Sequence, residues 1–380
     1  MLLYVLIFFT VALLVFIDCY LEDNKEADRF RFISSIVMIV FLCLVSGTRL
    51  LGGSDYYLYQ SAYEAVPTLQ KAFTSIQPIN SGIYVKAFDK GYLYITAFFK
   101  TCGFSFHLFC LFHALFFYFC LYFGLRKYCK NFSIVLLVFI SKIFFYNTFI
   151  SMRQSITIAI FFLSLDLIRK RKLIPYMLVC LVCLTIHAGS ALMIPIYFIA
   201  NINMTKKRFA VIILILMPFA IMNILHIPYL SGIMSVMGGV FGSSALGLKL
   251  TTYTSVADGL SPIYYLEFLI IAFFVYTNFD ALKQCNPKQN FVLCLFLLNW
   301  VVFSLLGSYS IATREKDYFT VAYAFLLSDL IGLKDRKVRF ALMAGVIAIC
   351  GFEFFRYILV FDNGGLIDYS SWLFDFLFRF

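Results

Sequence analysis

YNTFISMRQSITIAIFFLSLDLIRKRKLIPYMLVCLVCLTIHAGSALMIPIYFIA, residues 146–200, decides how this chain folds. An apolar run from Ser151 to Ile168 opens with one arginine, Arg153, and closes on the basic turn Arg169–Lys172. A basic turn of that density marks the cytoplasmic end of a membrane helix. The next stretch, Leu173–Ala200, is apolar again but is broken at His187-Ala188-Gly189-Ser190, and a second basic cluster, Lys206-Lys207-Arg208, follows it. With both clusters inside, the stretch must enter and leave on one side, as a hairpin turning at His187. Each arm, about 13 residues, is about 20 Å long at helical rise, short of the ~30 Å hydrocarbon core. Such broken backbone is tolerated only where protein or water surrounds it.

The rest of the chain has the same character. Of 380 residues, 62% are hydrophobic and 13% charged, and the mean hydropathy is +0.90. That excludes a soluble domain and predicts an all-α, polytopic membrane protein. The net charge of +11 does not point to nucleic acid, because 19 of the 31 Lys and Arg fall in the turns assigned to the cytoplasm. The eleven cysteines sit mostly in apolar runs, and Cys180-x-x-Cys183 lies inside one, so they read as small apolar residues and not as a metal or redox site. Met1–Tyr20 lacks a basic leader and a small-residue cleavage site and reads as a retained helix.

Apolar runs of spanning length then set the topology. They predict about eleven transmembrane helices plus the broken hairpin, with both termini outside. Residues 49–103 are expected to form an outer loop and a half-helix, Gly91–Lys100, too short to cross alone. Residues 228–262 form a Gly/Ser-rich outer loop suited to act as a lid. Residues 366–380, with Asp368, Ser371, Asp375 and Arg379 at helical spacing opposite an aromatic face, predict an interfacial helix anchored by Trp372. No repeat of 20–50 residues and no inverted halves occur, which weighs against a repeat-built transporter.

Against the basic turns, a few charges stand apart. Arg49, Arg153 and Arg314 lie singly at outer ends of spans, with Lys142 and His187 at similar depth and Lys90 as a weaker additional cation. Charges there are costly and are retained for a partner. Each arginine either snorkels, pairs with a local acid or binds a ligand. Arg314 has Glu315 and Asp317 beside it, whereas Arg153 has no acid within ten residues on either side. Guanidinium forks at one face suit a phosphate-type anion. In RLLGGSDYYLYQSAYE, Asp55 either acts as a general base or holds Arg49, and Tyr56, Tyr57, Tyr59 and Tyr63 either stack on sugars or form an interfacial belt. Asp89-Lys90-Gly91-Tyr92 opens the half-helix, whose free amides would face the outer site. His187, at the break, either packs by a hydrogen bond or exchanges a proton with the ligand. No metal-ligand spacing, phosphate loop, dinucleotide fingerprint or hydrolase motif appears.

These positions together resemble the EpsG family of bacterial polysaccharide polymerases, the Wzy-like O-antigen and capsule polymerases. The residues that carry the resemblance are Arg49 to Tyr59 (R-x₃-G-x-D-x₃-Y), Asp89 before Gly91-Tyr92, Arg153-Gln154, His187-x-Ser in a broken helix, and Arg314 before an aromatic-rich helix. Asp89-Lys90 departs from the Glu-Pro associated with that position. The resemblance implies a GT-C-like membrane glycosyltransferase of the inner membrane, acting on its periplasmic side without a cofactor or metal. Its substrates would be undecaprenyl-diphosphate-linked oligosaccharides, as donor and acceptor, and its other partners membrane lipid and a chain-length regulator protein. Arg153 and Arg314 would hold diphosphate, Arg49 would orient Asp55 or bind a second phosphate, and Asp55 or His187 would be the base. Gln154, Tyr59, Asp89, Lys90 and Tyr92 would line the substrate site. The alternatives are an O-antigen ligase, with lipid A core as acceptor in lipopolysaccharide, and a lipid-linked oligosaccharide flippase, which is no enzyme.

Overall fold

The structure, a computed structural model, describes residues 1–21, 24–50, 55–74, 79, 88–227, 229, 260–360 and 364–377. Gly52, Gly53 and nearly all of the Gly/Ser-rich segment lie outside them, as does Arg379. The described residues are helices and turns, with one isolated β-bridge, Arg49 to Ser371. Six helices are long and apolar enough to cross a membrane, or seven if the bent pair Pro262–Thr277 and Phe279–Cys285 counts as one span. Four further apolar helices are shorter: Phe132–Lys142, Leu173–Ile186, Ala188–Ile199 and Val321–Gly332. Met152–Arg169 is as long as a span but carries three charged residues, Arg153, Asp166 and Arg169. This fits a multi-pass membrane protein. Outward-facing positions on the long helices, such as Phe9, Leu214 and Phe273, are large and apolar, as contact with lipid requires.

The chain divides into two units, Met1–Tyr197 with Lys334–Phe380, and Phe198–Leu333. In the first, α1 (Leu2–Tyr20) and α2 (Lys25–Gly47) are followed by two short helices, α3 (Tyr56–Ala65) and α4 (Leu69–Phe73). Then come the half-length α5 (Lys90–Thr101), α6 (Phe106–Leu125), α7 (Phe132–Lys142), α8 (Met152–Arg169) and α9 (Leu173–Ile186). The last long helix, Arg336–Val360, returns to this unit. Helix α2 starts seven residues before the expected apolar span at Phe32. Asn24 caps it by accepting from the Ala27 N–H at 2.8 Å, and Arg31 is buried against Asp18 at 2.8 Å. Ser133 donates to the other Asp18 oxygen at 2.6 Å. Asp166 plays the same part at the next basic turn, accepting from Tyr128 at 2.9 Å and pairing with Lys127 at 3.0 Å. These acids hold the basic turns to the helix ends.

Gly124 lets α6 and α8 touch backbone to backbone, since a Cβ there would lie 2.7 Å from the Phe162 carbonyl. In lipid, where apolar burial drives little association, such close approach supplies the packing. The broken run forms α9, then a 3₁₀ turn at Ala188–Leu192 and a short helix Met193–Ile199, so the chain does break at His187.

The second unit packs around the buried helix Gln289–Leu306. Asn223 binds its end with all four amide positions. It donates to the Ser304 and Phe303 carbonyls at 2.6 and 3.0 Å and accepts from the Ser308 N–H and hydroxyl at 3.1 and 2.6 Å. Carbonyls left over at a helix end are thereby satisfied without water.

Candidate functional site

The site in the first unit begins where α7 ends. Its last residue, Lys142, forms a buried ion pair with Glu353 of the last long helix. That corrects its expected place among the ligand-facing cations: it is a clamp between helices. Past it the chain opens into a π-turn, Tyr146–Ile150, closed by the Ser151 N–H donating to the Tyr146 carbonyl at 2.8 Å. π-Turns of this kind recur at functional sites, and here the Phe149 carbonyl accepts from outside the turn.

Arg49 Nη2 donates to this carbonyl at 3.3 Å and Nη1 donates to the Ser46 carbonyl. Its guanidinium lies between the rings of Phe149 and Tyr56, 5.2 and 5.8 Å from their centroids. Arg49 is 1% exposed, and its Nε has no hydrogen-bond partner. Asp55 does not hold it. That residue is half-buried at the N-cap of α3, its carboxylate makes no cap bond, and among the described residues no carboxylate pairs with Arg49. The backbone of Arg49 is held by residues near the C-terminus. The Leu50 N–H donates to the Ser370 carbonyl at 3.0 Å, the Trp372 N–H to the Thr48 carbonyl at 3.0 Å, and the Thr48 and Ser371 hydroxyls lie 2.7 Å apart. The helix of the tail starts only at Trp372, because residues 370 and 371 run extended in this pairing.

Arg153, the second residue of α8, is not alone. Its Nη1 pairs with Asp89 Oδ2 at 3.1 Å, and its guanidinium lies over the Phe88 ring at 4.6 Å with the Tyr59 phenol beside it. The acid missing within ten residues comes from 64 residues away. His113 steadies the start of α8, with Nε2 2.8 Å from Ser155 Oγ and 3.1 Å from the Met152 carbonyl. Gln154 is buried, its Oε1 accepting from Ser151 Oγ at 3.4 Å.

Asp89 occupies the N-cap of α5, and Lys90 is exposed at the first helical position. Gly91 lets this end of α5 rest on the end of α9: a Cβ there would meet Thr185 Oγ1 at 2.3 Å and the Thr185 carbonyl oxygen at 2.6 Å. His187 follows two residues later, half-buried, with its N–H bonded to the Cys183 carbonyl at 2.9 Å. The Asp89–Arg153 pair is therefore set beside the helix break.

Between the two arginines stands an aromatic cluster. Tyr59 packs edge-on to Phe88 and Tyr92, at 5.4 and 5.8 Å, and Phe88 stacks on Tyr92 at 5.6 Å. Tyr56, Tyr59, Tyr63 and Tyr92 are buried in this cluster, and Tyr57 is exposed. The charges of both Arg153 and Arg49 reach the Tyr92 phenol, whose hydroxyl is buried without a hydrogen-bond partner. Among the described residues two buried donors, Arg49 Nε and Tyr92 OH, are thus left without an acceptor.

In the second unit, Arg314 lies half-buried on the short helix Ser310–Glu315. Asp317 pairs with Lys316 at 2.7 Å, and Lys316 also lies 5.2 Å from the Tyr264 ring. Glu315, read in the sequence only as a neighbouring acid for Arg314, is 3% exposed, and its Oε2 has no partner among the described residues. Burial first, and Asp317 second, push its carboxyl up to about 8, with Arg314 opposing. The signal was the mixed-charge run Arg314-Glu315-Lys316-Asp317 between two apolar spans.

Residues 32–371 match the family model described as the EpsG family. No curated protein and no solved structure matches the chain.

Proposed function

The chain belongs to the EpsG family, and on that premise we propose that it is a polysaccharide polymerase of the bacterial inner membrane, working on the periplasmic side. Family membership supports a polymerase-like role in general. The finer reading is that it moves a growing chain from undecaprenyl diphosphate to a hydroxyl on the non-reducing sugar of the next lipid-linked unit. The bond from the anomeric carbon to the diphosphate oxygen breaks and its electron pair stays on the diphosphate. A new bond forms from that carbon to the acceptor oxygen, whose proton passes to a base, Asp55 or His187. The same reading carries a GT-C-like architecture with about eleven crossings, to which the shorter apolar helices contribute.

One observation carries it most: Arg49 is a buried guanidinium that no carboxylate neutralises among the described residues. A buried charge left uncompensated is costly, and an anionic ligand removes that cost. Arg49 Nε and the Tyr92 hydroxyl supply donors, and Arg153 a second cation. Fixed donors of this kind stabilise a leaving diphosphate as its charge develops, without a metal being called for. The assignment of Arg314 to diphosphate rests only on the fit of a guanidinium fork to phosphoryl oxygens.

The test replaces Arg153 with Ala and with Lys in a strain lacking its own copy, with the surface polysaccharide run on a gel beside a blot for protein. The expected outcome is loss of the ladder with a single-unit band retained, and little rescue by Lys, whose point charge cannot reproduce the planar fork. A normal ladder from well-expressed Arg153→Ala would overturn the reading. Loss of the single-unit band as well would favour a flippase or a ligase.

A further inference from the structure

Arg49 and Arg153 differ in one respect that the polymerase reading does not use. Among the described residues no carboxylate pairs with Arg49, which binds carbonyls and lies against rings, whereas Arg153 already holds a carboxylate, Asp89, at 3.1 Å. Both side chains of that pair are 16% exposed, and buried Phe88, Tyr59 and Tyr92 lie against it. A diphosphate that is to bind Arg153 must compete with Asp89. Two anions on one guanidinium in so dry a setting repel each other strongly.

We propose that Asp89 is an exchangeable counter-ion: the donor's diphosphate displaces it from Arg153, and the released carboxylate takes the proton of the acceptor hydroxyl. This rests on the polymerase reading above and assigns its base to a residue that the sequence placed only in the substrate site. The physical logic is that a carboxylate deprived of its cation in a poorly hydrated pocket binds a proton more readily. Asp89 would thus become a base only once the donor is seated, and an empty site would carry no activated base. The backbone stays in place during the exchange, because Gly91 seats α5 on Thr185 and the Leu93 N–H donates to the Asp89 carbonyl at 3.2 Å. Only the side chain has to turn. In the transfer the hydroxyl proton goes to an Asp89 oxygen and the hydroxyl oxygen attacks the anomeric carbon. The electron pair of the breaking bond leaves with the diphosphate on Arg153.

The experiment uses the purified full chain in detergent, titrated with inorganic diphosphate by calorimetry and assayed separately for elongation of lipid-linked units. Asp89→Asn keeps the size of the side chain and a residue favoured at an N-cap, so α5 is preserved. It should bind diphosphate about ten-fold more tightly, an ion pair's worth of competition removed. Elongation should fall by about 100-fold or more, the usual cost of losing a general base. Asp89→Glu should keep measurable elongation, and Arg153→Ala should abolish the tighter binding of Asp89→Asn in the double variant. Unchanged or weaker binding by Asp89→Asn, or elongation at the wild-type rate, overturns the proposal while leaving the polymerase reading intact. Equal diphosphate binding by wild type and Arg153→Ala overturns the diphosphate site itself, and the counter-ion with it.

Discussion

Single side chains in this protein are buried with their charges under three different arrangements. Lys142 is neutralised by Glu353, Arg153 is held by Asp89, and Arg49 binds carbonyls, with no carboxylate on it among the described residues. Breaking the first would leave an unpaired buried acid, so Lys142 belongs to stability. Glu315 is the reverse case, a buried acid oxygen with no partner, and burial raises its carboxyl from 4.5 to about 8. Between those two values the folded chain keeps a proton that the unfolded chain has released. Stability is therefore full below 4.5 and falls as pH rises through about 8. Glu315→Gln should remove that slope, so melting curves in detergent across this range should be flatter for the variant than for wild type. Parallel pH dependence in the two proteins would mean that Glu315 is ionised at neutrality after all.

At the scale of elements, the half-helix α5 is the part on which the site turns. It is 12 residues long, delivers Asp89 at its N-cap, and is held at both ends. Near its far end the Lys100 ammonium donates to the Val66 carbonyl at 2.7 Å, tying α5 to the chain just after α3. At its near end Gly91 lies against Thr185 with no room for a methyl group. Gly91→Ala must therefore push α5 off α9, at a cost of about 1–3 kcal/mol for overpacking. The expected result is a lower melting temperature and lost elongation. Thr185→Ala should restore only part of either, since the Thr185 carbonyl at 2.6 Å still obstructs the new Cβ. Full rescue would show that the hydroxyl, and not the backbone, sets the spacing. The π-turn before α8 and the pairing of Ser370–Trp372 with Thr48–Leu50 do for Arg153 and Arg49 what the Gly91 contact does for Asp89.

At the scale of the whole molecule, the proposed orientation follows from the basic turns, and two natural cysteines can report on it. Cys102 and Cys285 are exposed, and the other described cysteines are buried or half-buried. The proposed topology puts Cys102, just after α5, on the outer side and Cys285, between Lys283 and Lys288, on the inner side. A membrane-impermeant maleimide should label Cys102 in cells with a permeabilised outer membrane, and Cys285 only after lysis. The Cys102→Ser and Cys285→Ser variants assign the two signals. The opposite pattern would place Arg153 on the cytoplasmic side, where no lipid-linked polymer is built in the proposed scheme.

The amino-acid sequence by itself determined that the chain is helical and lies in a membrane, because in lipid each backbone group must be bonded within its own segment. It also determined the break at His187 and the half-helix after Asp89, since polar and small residues interrupt an apolar run at those points. Arg49 and Arg153 were legible as candidates because a lone charge at the end of a span is costly in lipid, and Asp89 and Tyr92 because they open the half-helix. Their partners were not. Asp89 meets Arg153 across 64 positions, Glu353 meets Lys142 across 211, and Ser371 meets Arg49 from near the other end of the chain. That Tyr56, Tyr59 and Tyr63 are buried together while Tyr57 is exposed was hidden for the same cause. Hydrogen bonding along a helix is settled over a few residues, but which charges neutralise each other depends on which helices pack together, and only the tertiary structure decided that.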